Sequence, residues 1–171
     1  RGDFRPHLRL ASVGNPRWGY FLVEFLPLVK PSPCRVHAFF DGQNLFHSVR
    51  RAFGYTFPNC DPLRLARAVV RLTPGRELLQ VHYYTGFPPY HRDPKWNRFW
   101  SEKIRAMTAS GVRAVTRTLR YVEEPVSLPG GTIRLVPLAR EKGIDLRLAL
   151  DVLRLARPGA FDCALIFSQD G

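Results

Sequence analysis

The stretch RVHAFFDGQNLFHSV, Arg35 to Val49, constrains the fold more than any other part of the chain. Its apolar run, Val36, Ala38, Phe39 and Phe40, stops at Asp41 and Gly42, and a helical pattern of Leu45, Phe46, Val49 and Phe53 follows. The spacing predicts a buried strand, a tight turn and a helix. In an open parallel sheet, ligands collect at the carboxyl ends of the strands, and Asp41 stands at such an end. Gly42 is expected to let the backbone bend close to a ligand. Asn44 opens the helix, where its side chain can point back toward Asp41. An aspartate between strand and helix is also an ordinary N-cap, so this stretch alone leaves both roles open.

The same alternation recurs. Asp61-Pro62 and Asp93-Pro94 each read as an N-cap followed by proline at the first helical position. They predict helices from Leu63 to Leu72 and from Lys95 to about Ser110, with Gly54 and Gly111 as stops. On the second of these helices Trp96, Trp100, Ile104 and Met107 form one stripe, which reads as core packing. Strands are expected near Arg35–Phe40, Glu77–Tyr84, Val112–Leu119 and Cys163–Phe167, with a small hairpin around Pro129 to Gly131. Alternating apolar runs and helical patterns predict an α/β domain with a mainly parallel sheet. Right-handed crossovers place the strands in the order third, second, first, fourth. Asp41 and Asp170 then end neighbouring central strands.

The length, 171 residues, is that of one domain. Residues 1–34 do not share the pattern: arginines flank Gly and Pro, and Trp18–Val29 is apolar but interrupted by Glu24 and Pro27. They are expected to be an appendage or linker outside the domain, which begins at Arg35. With the only methionine at Met107 and Gly171 directly after a strand-like run, both ends are expected to be cut.

The formal charge of +12 points to a polyanionic partner, nucleic acid before an acidic membrane. The excess is carried largely by arginine, which suits phosphate. The three cysteines are scattered and form no C-x-x-C pair, which predicts neither zinc site nor disulfide framework and fits a reducing cytoplasm. No segment has the ~18 apolar residues of a membrane span. No Gly-rich phosphate loop and no Gly-x-Ser-x-Gly elbow is present, which disfavours a nucleotide-binding Rossmann enzyme and a serine hydrolase.

The loop Thr85–Trp96, TGFPPYHRDPKW, interleaves Tyr90 and Trp96 with Arg92 and Lys95. Aromatics stack on bases and basic groups hold phosphates, so this loop is a candidate nucleic-acid contact, and Lys142 a further one; the loop reads equally as aromatics folded onto the core. Three carboxylates lie at strand ends or helix starts: Asp41, Asp145 and Asp170. A cluster of such oxygens suits hard divalent ions. Each also has a plainer reading, as a cap or a turn residue, and Asp151, in mid-helix, as a solvated residue.

In order, FFDGQN (Phe39–Asn44), EKGIDLRLALD (Glu141–Asp151) and ALIFSQDG (Ala164–Gly171) resemble the NYN domain, a branch of the PIN-like nucleases. The likeness covers Arg35 to Gly171. It implies a three-layer Rossmann-like α/β sandwich that binds Mg2+ or Mn2+ and cleaves RNA, single-stranded or structured. By motif, Asp41 would be the first metal ligand, Asn44 its catalytic neighbour, Asp145 the second acid and Asp170 the third, with Asp151 and Ser168 around them. The family's further Asp, two positions past the one matching Asp170, lies beyond Gly171, as do a final helix and edge strand. The domain is therefore expected to be incomplete at its C-terminal end, with its activity limited accordingly. A non-catalytic RNA-binding module of the same fold is the alternative.

Overall fold

The computed structural model describes residues 7–12, 21–26, 33–57, 59–127, 133–140 and 143–168. In chain order these form β1 (His7–Ser12), β2 (Phe21–Leu26), β3 (Cys34–Asp41), α1 (Gly42–Phe53), α2 (Pro62–Arg71), β4 (Arg76–Phe87), α3 (Pro94–Ala109), β5 (Arg113–Thr118), β6 (Arg120–Ser127), β7 (Ile133–Arg140), α4 (Ile144–Ala156) and β8 (Cys163–Phe167).

Local chemistry sets most boundaries. Asp61 Oδ1 accepts from the backbone N–H groups of Leu63 and Arg64, and Pro62 opens α2. Asp93 Oδ1 accepts from Trp96 N, and Pro94 opens α3. Gly54 ends α1 in the left-handed region at φ 69°, where a side chain would be strained.

The main sheet runs β1-β2-β8-β3-β4-β5. Its last four strands, β8, β3, β4 and β5, are mutually parallel, in the order the sequence predicts. Successive strand residues point to opposite faces and so feed two apolar clusters. Val36, Ala38, Phe40, Val81, Tyr83, Leu165 and Phe167 pack with residues of α1, α2 and α3. Phe39, Tyr84 and Ala164 pack with Ile144, Leu148 and Val152 of α4.

Two expectations differ from what is found. The stretch expected to be an appendage contributes two described strands to the sheet: β2 lies antiparallel to β8, and β1 to β2. The pairing covers a β8 edge whose backbone groups would otherwise lack strand partners. The hairpin is also longer than expected. β5 stops at Thr118, and β6 pairs with β7 along all of its eight residues. α4 turns Ile144, Leu148, Asp151 and Val152 inward and leaves Leu146, Leu150 and Leu153 exposed.

Candidate functional site

β3 delivers Asp41 to the carboxyl edge of the sheet, where the chain turns directly into α1. Asp41 is buried. Its Oδ1 accepts from the backbone N–H groups of Gln43 and Asn44, both at 3.0 Å, so it caps α1. The cap places a negative charge at the positive end of the helix dipole. Asp41 Oδ2 accepts from Asn44 Nδ2 at 2.8 Å, and the same nitrogen donates to Ser168 Oγ at 3.1 Å. Ser168 directly follows β8, and Phe40 pairs with Phe167 in parallel register. Asn44 therefore ties the ends of two neighbouring strands together. The side chain points back toward Asp41, as the sequence suggested.

The opposite ends of these strands are held by a second polar clasp. Arg35 Nε and its backbone N–H both donate to Asp162 Oδ2 at 3.0 Å, and Arg35 Nη2 donates to Asp162 Oδ1 at 2.8 Å. Both ends of the β3–β8 pair are thus fixed by side chains, which holds the register between Asp41 and Ser168.

Gly42 also answers a steric need within the fold. A Cβ there would lie 2.6 Å from the ring of buried Tyr83. The residue is small because the phenol of β4 needs the space. Burial, then the proximity of Cys60 and Asp41, pushes the Tyr83 phenol up from its ordinary pKa.

Tyr84, the register partner of Asp41 on β4, faces α4. Its hydroxyl donates to Asp151 Oδ2 at 3.2 Å. Arg147 Nε donates to the same oxygen at 2.9 Å, and Arg154 pairs with Asp151 Oδ1 at 3.3 Å. Burial, then the Asp151 carboxylate, raises the Tyr84 phenol. Asp151 is thus a buried, paired carboxylate and not the solvated helix residue of the plainer reading. Asp145 is exposed in the first turn of α4, with no side-chain cap bond at that terminus, whose N-cap is the left-handed Gly143.

Asp170 and Lys142 lie outside the described residues. Among the described residues, no group of three His, Cys, Asp or Glu side chains could hold a metal ion. Deeper on the α4 face, His37 Nδ1 and His82 Nε2 lie 3.2 Å apart, both buried, with His82 stacked on Phe39. Burial is the first cause that lowers each to a pKa of about 4, with Arg113 and Arg35 adding for His37 and His37 and Arg113 adding for His82.

The residues assigned to nucleic acid divide. Trp96 packs edge-on against Phe99 and borders the core, as the stripe predicted. Tyr90 is 52 % exposed, and Arg92 and Lys95 are exposed. Arg92 lies over the Tyr121 ring and Lys95 over the Phe57 ring; neither ring was singled out from the sequence, because nothing local links them to the Thr85–Trp96 loop.

Among the described residues no helix is long and apolar enough to cross a membrane. No family model and no curated protein matches the chain. Among solved structures it is similar to the crystal structure of a protein of unknown function from Vibrio parahaemolyticus, with 16% sequence identity and a TM-score of 0.40. The match covers 75% of this chain and 64% of that protein, so the chain spans less than two thirds of its length.

Proposed function

We propose that the chain is a metal-dependent ribonuclease of the NYN kind, with a three-layer, PIN-like sandwich whose acidic edge hydrolyses RNA phosphodiester bonds. The observation that carries the proposal is the bridge from Asp41 through Asn44 to Ser168, at the carboxyl ends of adjacent parallel strands. The donors there, a carboxylate and a hydroxyl, are hard oxygens of the kind Mg2+ and Mn2+ prefer. Asp41 and Asp170 would hold the ion, with Asp145 joining from the first turn of α4. The chemistry such an ion would supply there is a lowered pKa for its water and neutralisation of the charge that builds on the phosphate.

The chain's own groups do the rest. Asn44 holds the Asp41 carboxylate in one orientation, so that no side-chain reordering is needed when substrate arrives. Arg92, Lys95 and Lys142 meet phosphates, and the net charge of +12 draws the polyanion in. Asp151, held by Arg147 and Arg154, supports α4 against Tyr84 and stays out of the chemistry. The three free thiols suit a cytoplasmic setting.

A second reading, an RNA-binding module without turnover, draws on the capping role of Asp41, which turns Oδ1 into α1. Thermal melting of the complete protein separates the two. A cation that binds only the folded state at ten times its Kd adds about 1.4 kcal/mol. Manganese should then raise the midpoint by about 3–6 °C, and Asp41→Asn should remove the rise. No rise at millimolar manganese favours the second reading.

A further inference from the structure

The outer face of α4 is an apolar crest left in water. A helix advances ~100° per residue, so Leu146, Leu150 and Leu153, at i, i+4 and i+7, share one line of the helix. They lie nearly opposite Ile144, Leu148 and Leu155, which pack toward the sheet. The three leucines are 64 %, 53 % and 59 % exposed, and Ala149 beside them is exposed too. Single exposed leucines are ordinary on a protein surface, whereas a line of them at helical spacing is the pattern of an interaction face. A further helix laid on the same sheet beside α4 would meet a flank of α4 and leave this crest bare. The crest therefore fits a partner that packs from outside the α4 layer.

Its rim is basic on one side. Arg147 and Arg154 lie along one flank and Arg157 follows the last turn, all three exposed. A single buried carboxylate, Asp151, pairs with both Arg147 and Arg154, so the flank stays net positive. The opposite flank carries the exposed Asp145 and Ala149, the second small enough for another backbone to come close.

These features choose among occupants. A nucleic-acid backbone would engage the arginines and leave the leucines in water. A second copy would bring its own arginine rim, on a chain of formal charge +12, against this one. An anionic bilayer is met best by cations on both sides of an apolar stripe, and here one side has Asp145 and Ala149. A helix with an apolar line and acidic flanks satisfies the leucines and the arginines together.

We infer that the outer face of α4 docks an acidic amphipathic helix of another protein, with Leu146, Leu150 and Leu153 as apolar anchors and Arg147, Arg154 and Arg157 meeting its carboxylates. The inference stands whether or not the Asp41 edge cuts RNA.

The test uses the complete protein and a labelled synthetic helix with Leu at i, i+3, i+4 and i+7 spacing and Glu on its flanks. Fluorescence anisotropy compares it with a scrambled peptide of the same composition and with its Lys-for-Glu counterpart. The ordered acidic peptide should bind about tenfold tighter than either. Leu150→Gln and Leu153→Gln, exposed positions whose folding circular dichroism checks, should each weaken it about tenfold. Arg154→Gln should weaken it less and remove part of its salt dependence. Equal binding of the ordered and scrambled acidic peptides, or wild-type affinity in both leucine variants, overturns the docking face. So does a leucine-dependent dimer in sedimentation, or leucine-dependent binding to vesicles of phosphatidylcholine and phosphatidylglycerol, in a protein that does not prefer the ordered acidic peptide.

Discussion

Asn44 and Ser168 are joined across adjacent parallel strands by one hydrogen bond of 3.1 Å, given by the same Nδ2 that holds Asp41 at 2.8 Å. One amide thus sets the spacing of the two strand ends that form the candidate site. Asn44→Ala removes both bonds while leaving the α1 cap on Asp41 Oδ1. Each part-buried hydrogen bond contributes about 0.5–1.5 kcal/mol, somewhat more to a charged group, so the variant should lose about 1–3 kcal/mol in urea unfolding. Ser168→Ala should lose less than half of that, since only the neutral bond goes.

Gly42 and Tyr83 make a steric prediction. Gly42 is outside the positive-φ region, so the cost of Gly42→Ala comes from its Cβ, 2.6 Å from the Tyr83 ring. Forcing an atom into a packed core costs about 1–3 kcal/mol. Gly42→Ala should lower the melting temperature by several degrees, and Tyr83→Leu in the same chain should return part of the loss. Additive losses in the double variant would mean that the contact does not govern this position.

The buried His37–His82 pair predicts a pH dependence. Both imidazoles are held near a pKa of about 4, below the ordinary 6.5 of the unfolded chain. Between those values the unfolded state binds more protons, so stability falls as pH drops from about 6.5 toward 4 and levels off below. Arg113 opposes protonation of both rings, Arg35 that of His37 and His37 that of His82; Asp151, on α4, favours it for His82. Urea midpoints measured from pH 7.5 to pH 4.5 should fall, and the double variant His37→Phe, His82→Phe should show a flatter profile. An unchanged slope in the double variant would assign the pH dependence to other groups.

What could be read from the residues alone was local or governed by handedness. Asp61-Pro62, Asp93-Pro94 and Gly54 act within one turn of their own position, and they cap as expected. The parallel order β8-β3-β4-β5 follows from the alternation of strands and helices. Contacts between distant segments were not legible. The pairing of β2 with β8 depends on a strand edge created only when the fold closes. The partner of Asp151, Tyr84, lies 67 residues away, and Gly42 owes its smallness to Tyr83 on another strand. Of the candidate site, Asp41 and Asn44 were found together because they share one helical turn. Ser168 joins them by strand register, whereas Asp145 sits exposed on α4, which no spacing rule could reveal.

The most direct test of the ribonuclease proposal is cleavage of a labelled single-stranded RNA by the complete protein in manganese, with Asp41→Asn and Asp151→Asn beside the wild type. Asp41→Asn keeps the size and shape of the side chain and removes its charge. It should cut at least a hundredfold more slowly while its RNA affinity in EDTA holds. Asp151→Asn, whose loss falls on Tyr84, Arg147 and Arg154, should lower stability, since it weakens the pairing of a buried carboxylate, and leave the rate per folded molecule within about threefold. Cleavage by Asp41→Asn at the wild-type rate would contradict the assignment of Asp41 to the chemistry, and with it the account of this edge as a catalytic site.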